Sequence, residues 1–122
     1  MAWRRAVLAL LLLLGIVPAA TATAFVPGTE DVPLMPGLTP IESANLVFDK
    51  PEGRIVEAKM RGKTERSDVR AFYRNTLPQL GWTEAGADAW RRNGEMLRLD
   101  FGGHEGDLTV GFTLSPQQES HP

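Results

Sequence analysis

The chain predicts a two-layer α+β domain, in which an antiparallel sheet of four to five strands carries one helix on a single face. Three observations point there. Residues 54–61 and 108–114 alternate apolar and polar side chains with the period of two that marks a sheet with one wet side. Residues 69–80 repeat apolar positions at helical spacing. Asn93-Gly94 sits between two alternating runs, the strongest short-range hairpin signal in the sequence.

The elements follow in order. Asn45–Asp49 and Arg54–Arg61 read as two strands joined by Lys50-Pro51-Glu52-Gly53, with proline early and glycine late as a tight turn requires. In the second strand Val56, Ala58 and Met60 share one face, and Glu57, Lys59 and Arg61 the other. Thr64 is the expected helix N-cap, with Glu65 and Asp68 in the first turns, where the helix dipole favours acids. Val69, Phe72, Tyr73, Thr76 and Leu80 form the expected buried stripe, while Arg66, Arg70 and Arg74 point outward. Pro78 should kink or end the helix, Gly81 is the natural residue after its cap, and Trp82 folds back as the hydrophobic contact.

Beyond the helix a meander is expected. A strand around 82–84, interrupted by Gly86-Ala87-Asp88 and resumed at 89–92, precedes the Asn93-Gly94 turn, and Leu97, Leu99 and Phe101 alternate with Met96, Arg98 and Asp100. Gly102–Asp107 reads as a loose, glycine-rich turn before the last strand, which Pro116 ends. The order β-β-α-β-β-β then buries Val69, Phe72, Tyr73 and Leu80 of the helix against Val56, Ala58, Met60, Leu97, Leu99, Phe101, Val110 and Phe112.

Three segments flank this domain of residues 42–116. Arg4 and Arg5 precede the apolar run Ala6–Val17, Pro18 breaks it, and Ala22-Thr23-Ala24 supplies small residues for a signal peptidase. A membrane span needs roughly 20 apolar residues, so residues 1–24 read as a cleaved export signal. The Trp3–Leu8 stretch fits a twin-arginine signal only loosely, which favours the general secretory route. Residues 25–41 hold Pro27, Pro33, Pro36 and Pro40 and read as an extended arm. That arm either packs along its own domain or docks a partner through Val32, Leu34, Met35 and Leu38. Residues 117–122 form a polar tail.

Composition narrows the function. Losing Arg4 and Arg5 with the leader leaves 11 basic against 15 acidic residues, a net charge of −4. That balance argues against nucleic acid and against an anionic membrane surface. The chain has no cysteine, so it has neither a disulfide framework nor a site for a lipid anchor, and a soluble periplasmic or secreted bacterial product is expected.

Chemistry-bearing constellations are sparse. A Ser115–His104–Asp107 set has nothing in the sequence to assemble it, and His104, Glu105 and Asp107 lack the spacing of a zinc or calcium site. No enzyme, metal or cofactor is therefore expected. Trp82, Trp90, Arg91 and Arg92 cluster around one hairpin, and an exposed tryptophan beside arginine could stack on a sugar or grip an acidic peptide. Trp90 and Arg91 are the candidate rim contacts.

Phe72-Tyr73, Leu77-Pro78-Gln79-Leu80-Gly81-Trp82 and Gly94-Glu95-Met96-Leu97-Arg98-Leu99-Asp100-Phe101 resemble a recurrent pattern of small exported proteobacterial envelope domains and lipoproteins. The likeness runs over roughly residues 42–115. It implies a fold and an address, with function largely uncharacterised, and carries over no catalytic residue. The expected role is a non-catalytic periplasmic accessory or binding domain acting through contacts with an envelope protein, by its arm or by adding a strand to a sheet edge. The alternative is a small-ligand protein, for a lipid or a cell-wall glycan, binding between helix and sheet or on the Trp82/Trp90 surface.

Overall fold

The computed structural model describes residues 24–117. The leader other than Ala24, and the tail beyond Gln117, lie outside the described residues. Seven strands form one antiparallel sheet: β1 (Thr39–Pro40), β2 (Leu46–Lys50), β3 (Gly53–Gly62), β4 (Thr83–Glu84), β5 (Ala89–Arg92), β6 (Glu95–His104) and β7 (Asp107–Pro116). Helix α1 (Arg66–Thr76) lies between β3 and β4 and continues as a 3₁₀ turn over Leu77–Leu80. The α+β class stands, but the order is β-β-β-α-β-β-β-β and the sheet is wider than the four to five strands expected. One extra member is the two-residue strand β1, too short to leave an alternation in the sequence; the other arises because the stretches at 82–84 and 89–92 are two strands, β4 and β5, paired antiparallel.

Across the sheet the strands run β1-β3-β7-β6-β5-β4, with β2 also on β3, so β1 and β2 share one edge of that strand. The long hairpins carry the alternation as expected. Val56, Ala58 and Met60 pair with Leu114, Phe112 and Val110, and Leu97, Leu99 and Phe101 continue the same face through β6. All but Phe101 are buried; Phe101 is partly buried and packs against that cluster. Each such buried side chain larger than alanine contributes about 1.5–3 kcal/mol. Asn93 (φ 50°) and Gly94 (φ 81°) both take the left-handed conformation that a two-residue hairpin turn demands.

Four local expectations change. The helix cap is Glu65, in extended conformation, one residue later than Thr64 and without a side-chain capping bond. The cause lies in the β6–β7 turn: Gly106 N–H donates to the Thr64 carbonyl at 2.9 Å, and the Glu105 carboxylate accepts the Arg66 N–H at 3.1 Å. An acid from outside the helix thus satisfies its first free donor. At the other end Leu80 is 41% exposed, and Leu77 is buried in its place. Pro78 tightens the last turn to three residues, which rotates Leu80 off the buried stripe. The cap itself is as expected, with Gly81 at φ 93° and Trp82 N–H bonded to the Leu77 carbonyl at 3.1 Å. The loose turn expected at Gly102–Asp107 is instead a tight one, since β6 runs to His104 and β7 starts at Asp107. The Arg stripe is not merely solvated: Arg70 makes a bidentate pair with Asp88, both bonds 2.9 Å, and lies over the Phe101 ring. That carboxylate, first by hydrogen bonding and then by charge, holds the Arg70 pKa above its ordinary value.

The arm packs on its own domain. Phe25 bridges Pro33, Val26 N–H bonds the Val32 carbonyl, and Leu34 N–H bonds the Ala24 carbonyl, both at 2.8 Å. Tyr73 is the fastener. Its hydroxyl donates to the Pro33 carbonyl at 2.7 Å and accepts the Met35 N–H at 3.1 Å, while its ring stands edge-on to Phe112. Burial pushes the Tyr73 hydroxyl well above the ordinary tyrosine range, only partly offset by the Met35 bond. Arg92 adds a second fastening, contacting Asp31 and lying 4.7 Å over the Trp82 ring.

Candidate functional site: the outer edge of the second strand

Leu46-Val47-Phe48 has the composition of a core strand, yet every residue of β2 is exposed. Leu46, Val47 and Phe48 are 50%, 47% and 45% exposed, three of the five large apolar residues in that state among the described residues. The geometry explains it. Asn45 is extended (φ −99°, ψ 124°) and leads β2 out of a 3₁₀ turn at Glu42–Ala44, and the Pro51-Glu52 turn folds β3 back along it. The register pairs Leu46, Val47, Phe48, Asp49 and Lys50 with Glu57, Val56, Ile55, Arg54 and Gly53. One edge of β2 is therefore satisfied by β3.

Its other edge has no hydrogen-bond partner among the described residues. Lys50 closes on Gly53 across the turn, so its backbone groups face β3. Alternation then turns the groups of Phe48 and Leu46 inward as well, and those of Val47 and Asp49 outward. Val47 and Asp49 each present a free N–H and C=O to solvent.

The side chains sort by face. Leu46 and Phe48 lie with Ile55 on the open side of the sheet, an apolar patch beside the charged row Glu57, Lys59 and Arg61. Val47 lies with Val56 on the covered side, close under the arm: a methyl group at Gly28 would stand 3.2 Å from Val47 Cγ2. The strand is thus apolar on both faces and unpaired on one edge, a combination that native sheets normally avoid.

The residues singled out from sequence fall elsewhere. Val32 and Leu38 are buried at 0% and 6% exposure, and Leu34 and Met35 pack partly buried against the same core. Trp90 is buried opposite Leu97. Arg91, its neighbour, projects exposed from the opposite face beside Met96. Trp90 and Arg91 therefore do not converge, and β5 stands four strands from β2, about 19 Å at ordinary strand spacing. Leu46, Val47 and Phe48 were missed because three consecutive apolar residues in a strand normally signal burial.

Hollows are few. The recess between α1 and the β4–β5 hairpin, lined by Arg70, Tyr73, Asp88 and Trp90, holds about 30 Å³, room for roughly one water. A larger open groove of about 630 Å³ runs beside β1, lined by Gly37, Thr39–Ile41, Arg61–Lys63 and Asp107. Among the described residues no group of three or more His, Asp or Glu side chains is placed to hold a metal ion, and no helix is long and apolar enough to cross a membrane. No family model matches the chain, and no match was found among curated proteins or solved structures.

Proposed function

We propose that the chain is a non-catalytic accessory domain of the bacterial envelope, exported to the periplasm, that works by protein contact through the outer edge of β2. One observation carries this reading: a complete strand with an unpaired edge and three large apolar side chains about half exposed. An extended segment laid along that edge gains main-chain hydrogen bonds, while Leu46 and Phe48 on one face and Val47 on the other select its side chains. The arm, fastened by Tyr73 and Arg92, serves the domain that presents this edge.

The test is a photo-reactive phenylalanine analogue placed at Phe48 or, as control, at exposed Arg98 on the open face of β6. In native envelope, the expected result is a discrete protein adduct from position 48 and none from position 98. Silence at position 48, or equal labelling from both, removes the proposal. The groove beside β1 supports a second reading, a binder of a small lipid or glycan fragment near Arg61 and Lys63. Unchanged amide resonances of Gly37 and Gly62 on adding muropeptides or envelope lipids would remove that one.

A further inference from the structure

We propose that the partner on β2 is a second copy of this chain, joined strand to strand about a two-fold axis through Val47; this rests on the protein-contact reading above. The argument is one of self-complementarity. In an antiparallel pair of identical strands, the opposed residues share a face, so the two-fold must pass through a residue rather than between two. Five centres are available within β2, and the sequence separates them; one at Lys50 opposes two like ammonium groups.

A two-fold at Asp49 opposes two like carboxylates. A two-fold at Phe48 sets Asn45 against Pro51 of the second copy, which has no N–H to give. It also leaves the two Asp49 side chains as diagonal neighbours. A two-fold at Leu46 carries Phe48 against Ala44, already in the 3₁₀ turn, and offers Lys50 no strand partner.

With the axis at Val47 the conflicts disappear. Val47 opposes Val47 on the covered face. Leu46 opposes Phe48 twice on the open face, joining the two apolar patches into one. Asn45 stands against Asp49, an amide donor against a carboxylate, and Lys50 reaches the Glu42–Ala44 turn with its acid. The register also uses the outward groups: Val47 and Asp49 are the residues whose N–H and C=O point away from β3, and both fall on hydrogen-bonded pairs. The product is a continuous fourteen-strand sheet, counting the seven strands of each copy.

The contact is one short strand per copy, at the small end of specific interfaces, so the dimer is concentration-dependent. The protein recovered from expression of the full chain should move from monomer toward twice the monomer mass between about 1 and 100 µM in sedimentation or light scattering. Val47→Lys and Val47→Glu each put like charges on the axis at an exposed position and should be monomeric throughout. An equimolar mixture of the two should recover the dimer. Val47→Cys, in a chain with no other cysteine, should oxidise to a linked dimer, because paired Cα atoms at about 5.5 Å suit a disulfide.

A parent protein monomeric at every concentration, with no linkage through position 47, overturns self-pairing. If the Phe48 probe then captures a different protein, the contact surface stands and only the identity of the second strand is wrong. If that probe is silent too, both readings fall.

Discussion

The two ends of the sheet are built in opposite ways. At the β4 end the outermost strand is two residues long and carries Glu84. The hairpin behind it is tied down by the Arg70–Asp88 pair, and Arg92 bonds the Leu80 carbonyl at 2.9 Å, contacts Asp31 and covers Trp82. At the β2 end the outer strand is five residues long, apolar at its centre, and no side chain within it makes a hydrogen bond or ion pair among the described residues. A short charged edge blunts strand addition, whereas a long apolar one invites it. The difference teaches that exposure of Leu46–Phe48 is not a general looseness of this small sheet, because the same chain closes its other end thoroughly.

Substitutions at the two ends should separate accordingly. The largest effect is expected for Trp82→Ala, which empties a site only 2% exposed and removes the surface under Arg92; about 3–5 kcal/mol of stability should be lost in urea unfolding. Tyr73→Phe comes next. It deprives the Pro33 carbonyl and the Met35 N–H of their partner and should cost about 1–3 kcal/mol.

The same tyrosine gives a pH signature. Its folded-state pKa is raised, so the folded chain holds this proton after the unfolded chain has released it. The contribution is complete below the ordinary tyrosine pKa near 10 and declines as pH rises above it, by up to ~1.4 kcal/mol per pH unit. Alkaline unfolding curves should show that decline in the parent and lose it in Tyr73→Phe. Tyr73 is the only tyrosine, so tyrosinate absorbance reports it directly.

The smallest effect on monomer stability is expected at the other end. Phe48→Ser removes an aromatic ring, yet stability should stay within about 0.5 kcal/mol of the parent, because the ring is already half in water. A loss comparable to that of Trp82→Ala would show that β2 is part of the core and erase the contrast between the ends.

Legibility in the sequence followed the same division. The interior hairpins were plain, since Val56–Met60, Leu97–Phe101 and Leu108–Leu114 alternate and Asn93-Gly94 fixes a turn without help from elsewhere. What depended on distant partners was not. Thr64 looks like a cap until Glu105, about forty residues on, takes the donor, and Leu80 fits the stripe until Pro78 tightens the turn. Strand β1 exists only because β3 offers it a ladder. The candidate site was hidden for a different reason. Leu46-Val47-Phe48 reads only as strand, and its exposed, unpaired edge follows from sheet order, which no local pattern encodes.

The fastening of the arm sets an order of events in time. Pro33 and Met35 meet Tyr73 across 40 and 38 residues of chain, and Asp31 meets Arg92 across 61. The arm is synthesised before its anchors, and it cannot be fastened until helix and hairpin have placed Tyr73 and Arg92. Val26, Val32 and Leu38 must wait, bare, until helix and hairpin have formed, and only then seal the core. The N-terminal segment is in effect a closing flap, made first and fitted last, and its hydrogen-bonded amides should exchange with solvent before those of the interior hairpins.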